Sequence, residues 1–132
     1  MRIVLDTNVF VSGIFFSGPP HRILGAWRDG RVTVVYSPAI AEEYQRVLAE
    51  LSREFPQING QPFLALLARW GELVEPSPMA STICRDPGDV KFIECLLWSG
   101  AHCLVSGDRD LLEARIEKAL ILSPRHFCDR YL

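Results

Sequence analysis

Two carboxylates follow apolar segments that are predicted to be buried strands. Asp6 comes directly after RIVL, and Asp108 follows HCLVS with only Gly107 between. An ionised carboxylate buried without a partner is so unfavourable that each acid must reach water, hydrogen-bond donors or a cation. Because sites in parallel α/β sheets form beyond the carboxyl ends of the strands, we expect both acids at one edge of the sheet.

Two further acids are predicted at the same edge. A crossover helix runs antiparallel to the strand before it, so its amino end lies where that strand finished. Glu43 falls in the second turn of a helix beginning at Pro38, and Asp89 in the first turn of a helix beginning at Pro87. Glu43 flanks the apolar face of its helix, whereas Glu42 points nearly opposite. We therefore expect four carboxylates to converge: Asp6, Glu43, Asp89 and Asp108.

The chemistry of such a cluster points to a hard divalent cation. Clustered carboxylates repel one another and take up protons unless a counter-charge is present. Mg²⁺ or Mn²⁺ prefers oxygen ligands and keeps several waters, whereas no histidine lies in these motifs and the four cysteines match no zinc spacing. Such an ion orients a phosphate and activates water, so the predicted reaction is phosphoester hydrolysis.

Each acid also has a structural explanation that the sequence leaves open. Asp86 with Asp89 resembles a capping box. We favour this structural role for Asp86, whereas for Asp89 the structural and the functional role are equally supported. Asp108 suits the N-cap of the next helix, and Asp110 is favoured as a first-turn acid stabilised by the helix dipole. Glu43 alone is typical of a surface acid. The presence of all these acids at one predicted edge of the sheet favours a functional site over separate structural roles.

Other polar residues beside the acids have weaker claims. Asn8 and Ser106 are candidates to orient a carboxylate or bind a metal-bound water, and turn hydrogen bonding explains them equally well. Arg85, Lys91 and Arg109 are candidates for phosphate contacts, although solvated surface charge is the favoured explanation.

Strands and helices alternate along the chain. Continuous apolar runs predict strands at RIVL, VTVVY, HCLVS and, more weakly, ALILS. Helices are predicted over residues 20–29, 38–55, 62–70, 87–98 and 108–114, and for RHFCDRYL at the C-terminus. Trp27, Trp70 and Trp98 fall at apolar helical positions and are expected in the core. The alternation predicts a three-layer α/β/α sandwich with a mostly parallel sheet.

Length and composition bound the class of protein. The 132 residues, 48% hydrophobic, suit one domain over residues 1–132. A net charge of −2 creates no global positive field for nucleic acid or an anionic membrane. Asp6 and Asn8 interrupt a would-be signal peptide, and no segment is apolar enough to span a bilayer. Cys95 and Cys103 are expected to be buried thiols, so we expect a soluble cytoplasmic protein.

Four segments, in order, resemble PIN-domain nucleases, in particular the prokaryotic VapC-type toxins of toxin–antitoxin systems. The segments are RIVLDTNVFVSG, SPAIAEEYQRVL, DPGDVKF and SGDRDLL, and the resemblance covers the chain from Met1 to about Ser123. The resemblance implies a quartet of acidic site residues and further positions that support the site. Family members often carry one extra acid where this chain has Gly88. The quartet falls on Asp6, Glu43, Asp89 and Asp108, with Asn8 and Ser106 in support.

The resemblance also implies an activity and partners. Members are Mg²⁺- or Mn²⁺-dependent endoribonucleases, are frequently homodimers, and are often silenced by an antitoxin protein that blocks the acidic groove. Two alternatives stay open. A haloacid-dehalogenase-like phosphatase would use Asp6 as its nucleophile but needs a second aspartate where this chain has Asn8. A non-catalytic module of the same fold would bind RNA or a protein without turnover.

Overall fold

Five parallel strands form one sheet within residues 1–78 and 86–132, the part of the chain that the computed structural model describes. The strands are β1 (Arg2–Leu5), β2 (Thr33–Tyr36), β3 (Glu72–Leu73), β4 (Cys103–Val105) and β5 (Ile121–Leu122). Their order across the sheet is β3-β2-β1-β4-β5, which puts β1 at the centre. The predicted parallel sheet is confirmed.

Helices connect these strands. They are α1 (Thr7–Phe15), α2 (Pro19–Arg28), α3 (Pro38–Glu54), α4 (Gln61–Trp70), α5 (Val90–Ser99), α6 (Arg109–Glu113) and α7 (Pro124–Tyr131). A 3₁₀ turn over Pro87–Asp89 precedes α5. The side chains of Ser37 and Ser123 cap α3 and α7, accepting hydrogen bonds from backbone N–H groups at 3.3 and 3.1 Å.

Helices cover the sheet on both faces. Ile3, Val4 and Leu5 of β1 are all fully buried. Since successive strand side chains point to opposite faces, neither face of β1 is open to water. Helix α5 packs against β1 and β4, while α1 packs against α2 and α3. The predicted three-layer α/β/α architecture is therefore confirmed.

Three elements differ from the prediction. Helix α1 was not expected, because TNVFVSGIF is an apolar run without a clear helical stripe, and Val9, Phe10 and Val11 are all buried. Strand β3 was not expected either, since two residues give no pattern. The single helix predicted over residues 87–98 divides into the 3₁₀ turn and α5, which places Asp89 at their junction.

The expectation that all three tryptophans are buried is wrong for two of them. Trp27 is in the core, but Trp70 and Trp98 are 63% and 59% exposed. Both lie in the last turn of a helix. The spacing of apolar residues predicts which side of a helix is apolar but not whether its last turn still packs against the core. The expected burial of Cys95 and Cys103 is confirmed, whereas Cys84 lies outside the described residues.

No helix in the described part of the chain combines the length and apolar character needed to cross a membrane.

Candidate functional site

An acidic cleft of about 290 Å³ opens where β1 and β4 end. It is lined by Asp6, Thr7, Asn8, Glu43, Arg46, Val47, Asp86, Gly88, Asp89 and Asp108. Asp6 lies between β1 and α1, Thr7 and Asn8 are the first residues of α1, and α3 supplies Glu43. Asp89 comes from the end of the 3₁₀ turn and Asp108 from the turn between β4 and α6. The structure thus brings all four predicted acids into one cleft.

Asp6 is buried at the base of the cleft. The residue is 6% exposed and occupies the N-cap position of α1, yet its carboxylate makes no side-chain cap. Instead Oδ2 accepts a hydrogen bond from Ser106 Oγ at 2.6 Å. Burial raises the Asp6 pKa above its usual value, and this outweighs the opposing hydrogen bonds from Ser106 and the Thr7 backbone. An ionised Asp6 is therefore destabilised without a cation.

Ser106 ties Asp6 to Asp108. Its fully buried hydroxyl accepts a hydrogen bond from the Asp108 backbone N–H at 3.0 Å while donating to Asp6. Asp108 Oδ1 in turn accepts from the Asp110 backbone N–H at 2.8 Å, so Asp108 caps α6 and lines the cleft at once. Asp110 is exposed in the first turn of α6, the position predicted for a dipole-stabilised acid.

Asp89 is the most perturbed acid of the cleft. The residue is 8% exposed, and its buried Oδ2 has no hydrogen-bond partner in the part of the chain that the structure describes. Burial raises its pKa from 3.8 to about 7, and repulsion by Asp108, Asp6 and Asp86 adds to the shift. A buried carboxylate oxygen without a donor is typical of a group that meets a cation or a proton.

Asp86 and Asn8 lie at the rim of the cleft. Asp86 is exposed and accepts a hydrogen bond from the Gly88 backbone N–H at 2.9 Å, which confirms the predicted N-cap. Asn8 is exposed in the first turn of α1 and also lines the cleft. Both are therefore close enough to the acids to contact water or a ligand in the cleft.

Glu43 differs from the other acids because it is already paired. Its Oε1 receives a hydrogen bond from Lys91 Nζ at 2.6 Å, and Arg46 lies 3.8 Å from the same oxygen. Thr7 Oγ1 donates to Oε2. Burial raises the Glu43 pKa, but the Lys91 and Thr7 hydrogen bonds prevail and the net pKa is lowered.

Sequence reasoning did not identify Thr7 and Lys91 as partners of Glu43. Thr7 was placed only within a D-T-N motif, and Lys91 was favoured as a solvated surface charge. The structure instead places Lys91, with 23% of its side chain exposed, in an ion pair spanning 48 residues. Arg109 is exposed as expected, and Arg85 lies outside the described residues.

The donor set fits a hard divalent cation. All the converging side chains offer carboxylate oxygens, and the orphaned Asp89 Oδ2 lies among them. Within residues 1–78 and 86–132, however, no group of three or more acids, histidines or cysteines is arranged so that it could hold a metal ion. An ion that keeps several waters and needs only one or two direct carboxylates suits such a cleft.

Without metal, stability is expected to fall as the pH rises from 5 to 8. Folding raises the Asp89 pKa from 3.8 to about 7, so over that interval the folded state binds a proton that the unfolded state has released. Stability from this group is therefore present at low pH and lost as pH rises towards 7. Glu43 and Glu72, whose pKa values are lowered, titrate below this window.

The melting temperature in EDTA at pH 5, 6, 7 and 8 measures this dependence directly. A melting temperature that climbs steadily from pH 5 to pH 8 would contradict the burial of Asp89 among other negative charges.

Comparison with known proteins identifies a family that most of this chain matches. Residues 2–110 match the family described as PIN domain. An uncharacterized protein of Methanocaldococcus jannaschii is 30% identical over 122 residues, which cover 89% of this chain and 77% of that protein. A chain in the crystal structure of VapBC2 from Rickettsia felis, bound to a DNA fragment from their promoter, superposes with a TM-score of 0.64. That match covers 93% of this chain and 98% of the other at 17% identity, so it shows a shared fold.

Proposed function

Because this chain belongs to the PIN-domain family, we propose that it is a divalent-metal-dependent endoribonuclease that hydrolyses RNA phosphodiester bonds. The observation that carries the proposal is the meeting of Asp6, Asp89 and Asp108 in one cleft, with a buried Asp89 oxygen that has no described donor. PIN domains are generally nucleases, and an acidic cleft of oxygen donors is the kind of site that metal-assisted phosphoester hydrolysis requires.

The residues that would hold Mg²⁺ or Mn²⁺ are Asp6, Asp89 and Asp108, with Glu43 on the wall of the cleft. When bound, such an ion supplies positive charge to a phosphodiester and activates water as a nucleophile. Ser106 fixes the orientation of Asp6 through a 2.6 Å hydrogen bond. Buried Asp89 and Asp6 resist ionisation without a counter-charge, which favours binding of a cation by the folded chain.

Substrate contacts are expected at the rim. Arg46 lines the cleft with 61% of its side chain exposed, and a substrate phosphate would compete for its guanidinium with Glu50 at 3.4 Å and Glu43 at 3.8 Å. Asn8 is exposed on the same surface and offers donors to a phosphate or sugar oxygen. These residues supply hydrogen bonds near a cleft whose carboxylates would otherwise repel a polyanion.

The choice of RNA and the identity of partners rest on the family resemblance. We include in the proposal a toxin role, an antitoxin protein that covers the acidic cleft, a homodimer, a cytoplasmic location and a single domain over residues 1–132. The shared fold with a chain of the VapBC2 structure is consistent with such a partner.

The test is cleavage of a single-stranded RNA by the purified protein with Mn²⁺, Mg²⁺ or EDTA, beside a DNA strand of the same sequence. We expect RNA products with either metal, none in EDTA, and slower cleavage of the DNA strand. Tight RNA binding without turnover in any metal would contradict the proposal and favour a non-catalytic binding module.

A further inference from the structure

The contacts of the acidic cleft divide its four acids into two classes. Asp6, Asp89 and Asp108 form no ion pair with a basic side chain in the described ranges. Glu43, by contrast, has Lys91 Nζ at 2.6 Å and the Arg46 guanidinium at 3.8 Å from one oxygen, and the Thr7 hydroxyl on the other.

Lys91 is held in place from two directions. It lies in the first turn of α5, two residues after Asp89, and its Nζ also donates to the Gly88 carbonyl oxygen at 3.1 Å. The ammonium therefore links α3, through Glu43, to the 3₁₀ turn that presents Asp89. Its side chain is 23% exposed and that of Glu43 is 20% exposed, so water screens this pair less than a surface ion pair.

A fixed positive charge at this place has two consequences. It offsets part of the negative charge of the cleft when no divalent ion is bound, which stabilises the folded chain. It also repels an incoming divalent ion and occupies the carboxylate that would otherwise complete the ligand set. The Lys91 charge therefore raises the stability of the metal-free protein and lowers its affinity for a divalent ion.

We propose that Lys91 is an internal counter-ion of the acidic cleft that holds Glu43 out of the metal ligand set, leaving Asp6, Asp89 and Asp108 to bind the ion. This inference rests on the proposed metal-dependent function and deepens it. Lys91 is a positioning residue here, since it acts through Glu43. Glu43 and Lys91 together carry no net charge, and the pair forms part of the wall of the cleft.

The test measures Mn²⁺ binding by calorimetry, without RNA, together with melting temperatures in EDTA and in saturating Mn²⁺. Lys91→Met removes the repelling charge and the nearer of the two basic partners of Glu43, since Arg46 stays 3.8 Å away, so we expect Mn²⁺ affinity to rise on the order of tenfold. The melting temperature in EDTA should fall, and the gain on adding Mn²⁺ should exceed that of the unmodified protein. Lys91→Arg keeps the charge and should stay close to the unmodified protein in both measurements.

Two further variants make the outcome specific. Lys118→Met, at the chain's other lysine, is exposed and should change neither Mn²⁺ affinity nor the Mn²⁺-induced gain. The double variant Glu43→Gln with Lys91→Met removes a neutral pair, so its Mn²⁺ affinity should stay within about threefold of the unmodified protein because net charge is preserved.

Several results would overturn the proposal. Unchanged or weaker Mn²⁺ binding by Lys91→Met shows that Lys91 is only a structural contact. If the double variant loses as much Mn²⁺ affinity as the Asp6→Asn variant does, Glu43 is itself a metal ligand. If the unmodified protein binds Mn²⁺ but either variant gives one of these two results, the Lys91 proposal fails and the proposed metal-dependent function stands. If the unmodified protein binds no Mn²⁺, the proposed function fails with it.

Discussion

Asp6→Asn is expected to reduce RNA cleavage in Mn²⁺ by about a thousandfold or more, since the loss of a principal metal ligand forfeits several kcal/mol of transition-state stabilisation. Asparagine keeps the volume of the side chain, and Ser106 Oγ can donate to its amide oxygen as it does to Asp6 Oδ2. The substitution also removes a buried carboxylate whose pKa burial has raised, so the fold should not lose stability.

Rates of cleavage of a labelled RNA and melting temperatures in EDTA check both parts of this expectation. Asp129→Asn, an exposed acid on α7, is the matched control and should cleave at the unmodified rate. Undiminished cleavage by a folded Asp6→Asn protein would remove Asp6 from the site. A variant that fails to melt cooperatively would show that Asp6 is needed for folding.

Asp89→Asn is expected to change stability and metal binding in opposite directions. At pH 8 the metal-free protein must keep a carboxylate ionised although burial and neighbouring acids have raised its pKa to about 7. An amide removes that charge and can donate to the adjacent Asp108 carboxylate. We expect the melting temperature in EDTA to rise by about 3–8 °C, which corresponds to roughly 1–2 kcal/mol for a domain of this size.

The same substitution should weaken Mn²⁺ binding about a hundredfold, because a charged ligand in a poorly screened site contributes a few kcal/mol. It should also flatten the decline in stability from pH 5 to pH 8. Asp129→Asn is a suitable comparison, since Asp129 is an exposed acid on α7. A lower melting temperature for Asp89→Asn in EDTA would mean that the carboxylate has a stabilising partner.

The positions of the four acids were predictable because they depend on topology. Asp6 and Asp108 follow continuous apolar strands, and the amino ends of crossover helices must return to that edge. The N-cap signal at Asp86 was equally readable, since Asp-Pro is a strong local pattern. These features are set by local pattern and chain direction, so a single sequence contains them.

Other features depend on tertiary packing and could not be read from the chain. Helix α1 consists largely of β-branched, aromatic and apolar residues, and its helical state is set by burial against neighbours rather than by propensity. Its Gly13 illustrates this, since an added Cβ would lie 2.7 Å from the Leu24 side chain of α2. The Lys91–Glu43 pair joins residues 48 positions apart, and no local pattern reveals which cation faces which acid.

The most direct test of the central claim is anomalous scattering from crystals of this protein soaked in Mn²⁺. We predict a peak in the cleft between β1 and β4, within coordinating distance of carboxylate oxygens of Asp6, Asp89 or Asp108. Absence of a peak there, or a peak only at unrelated surface acids, would contradict the account.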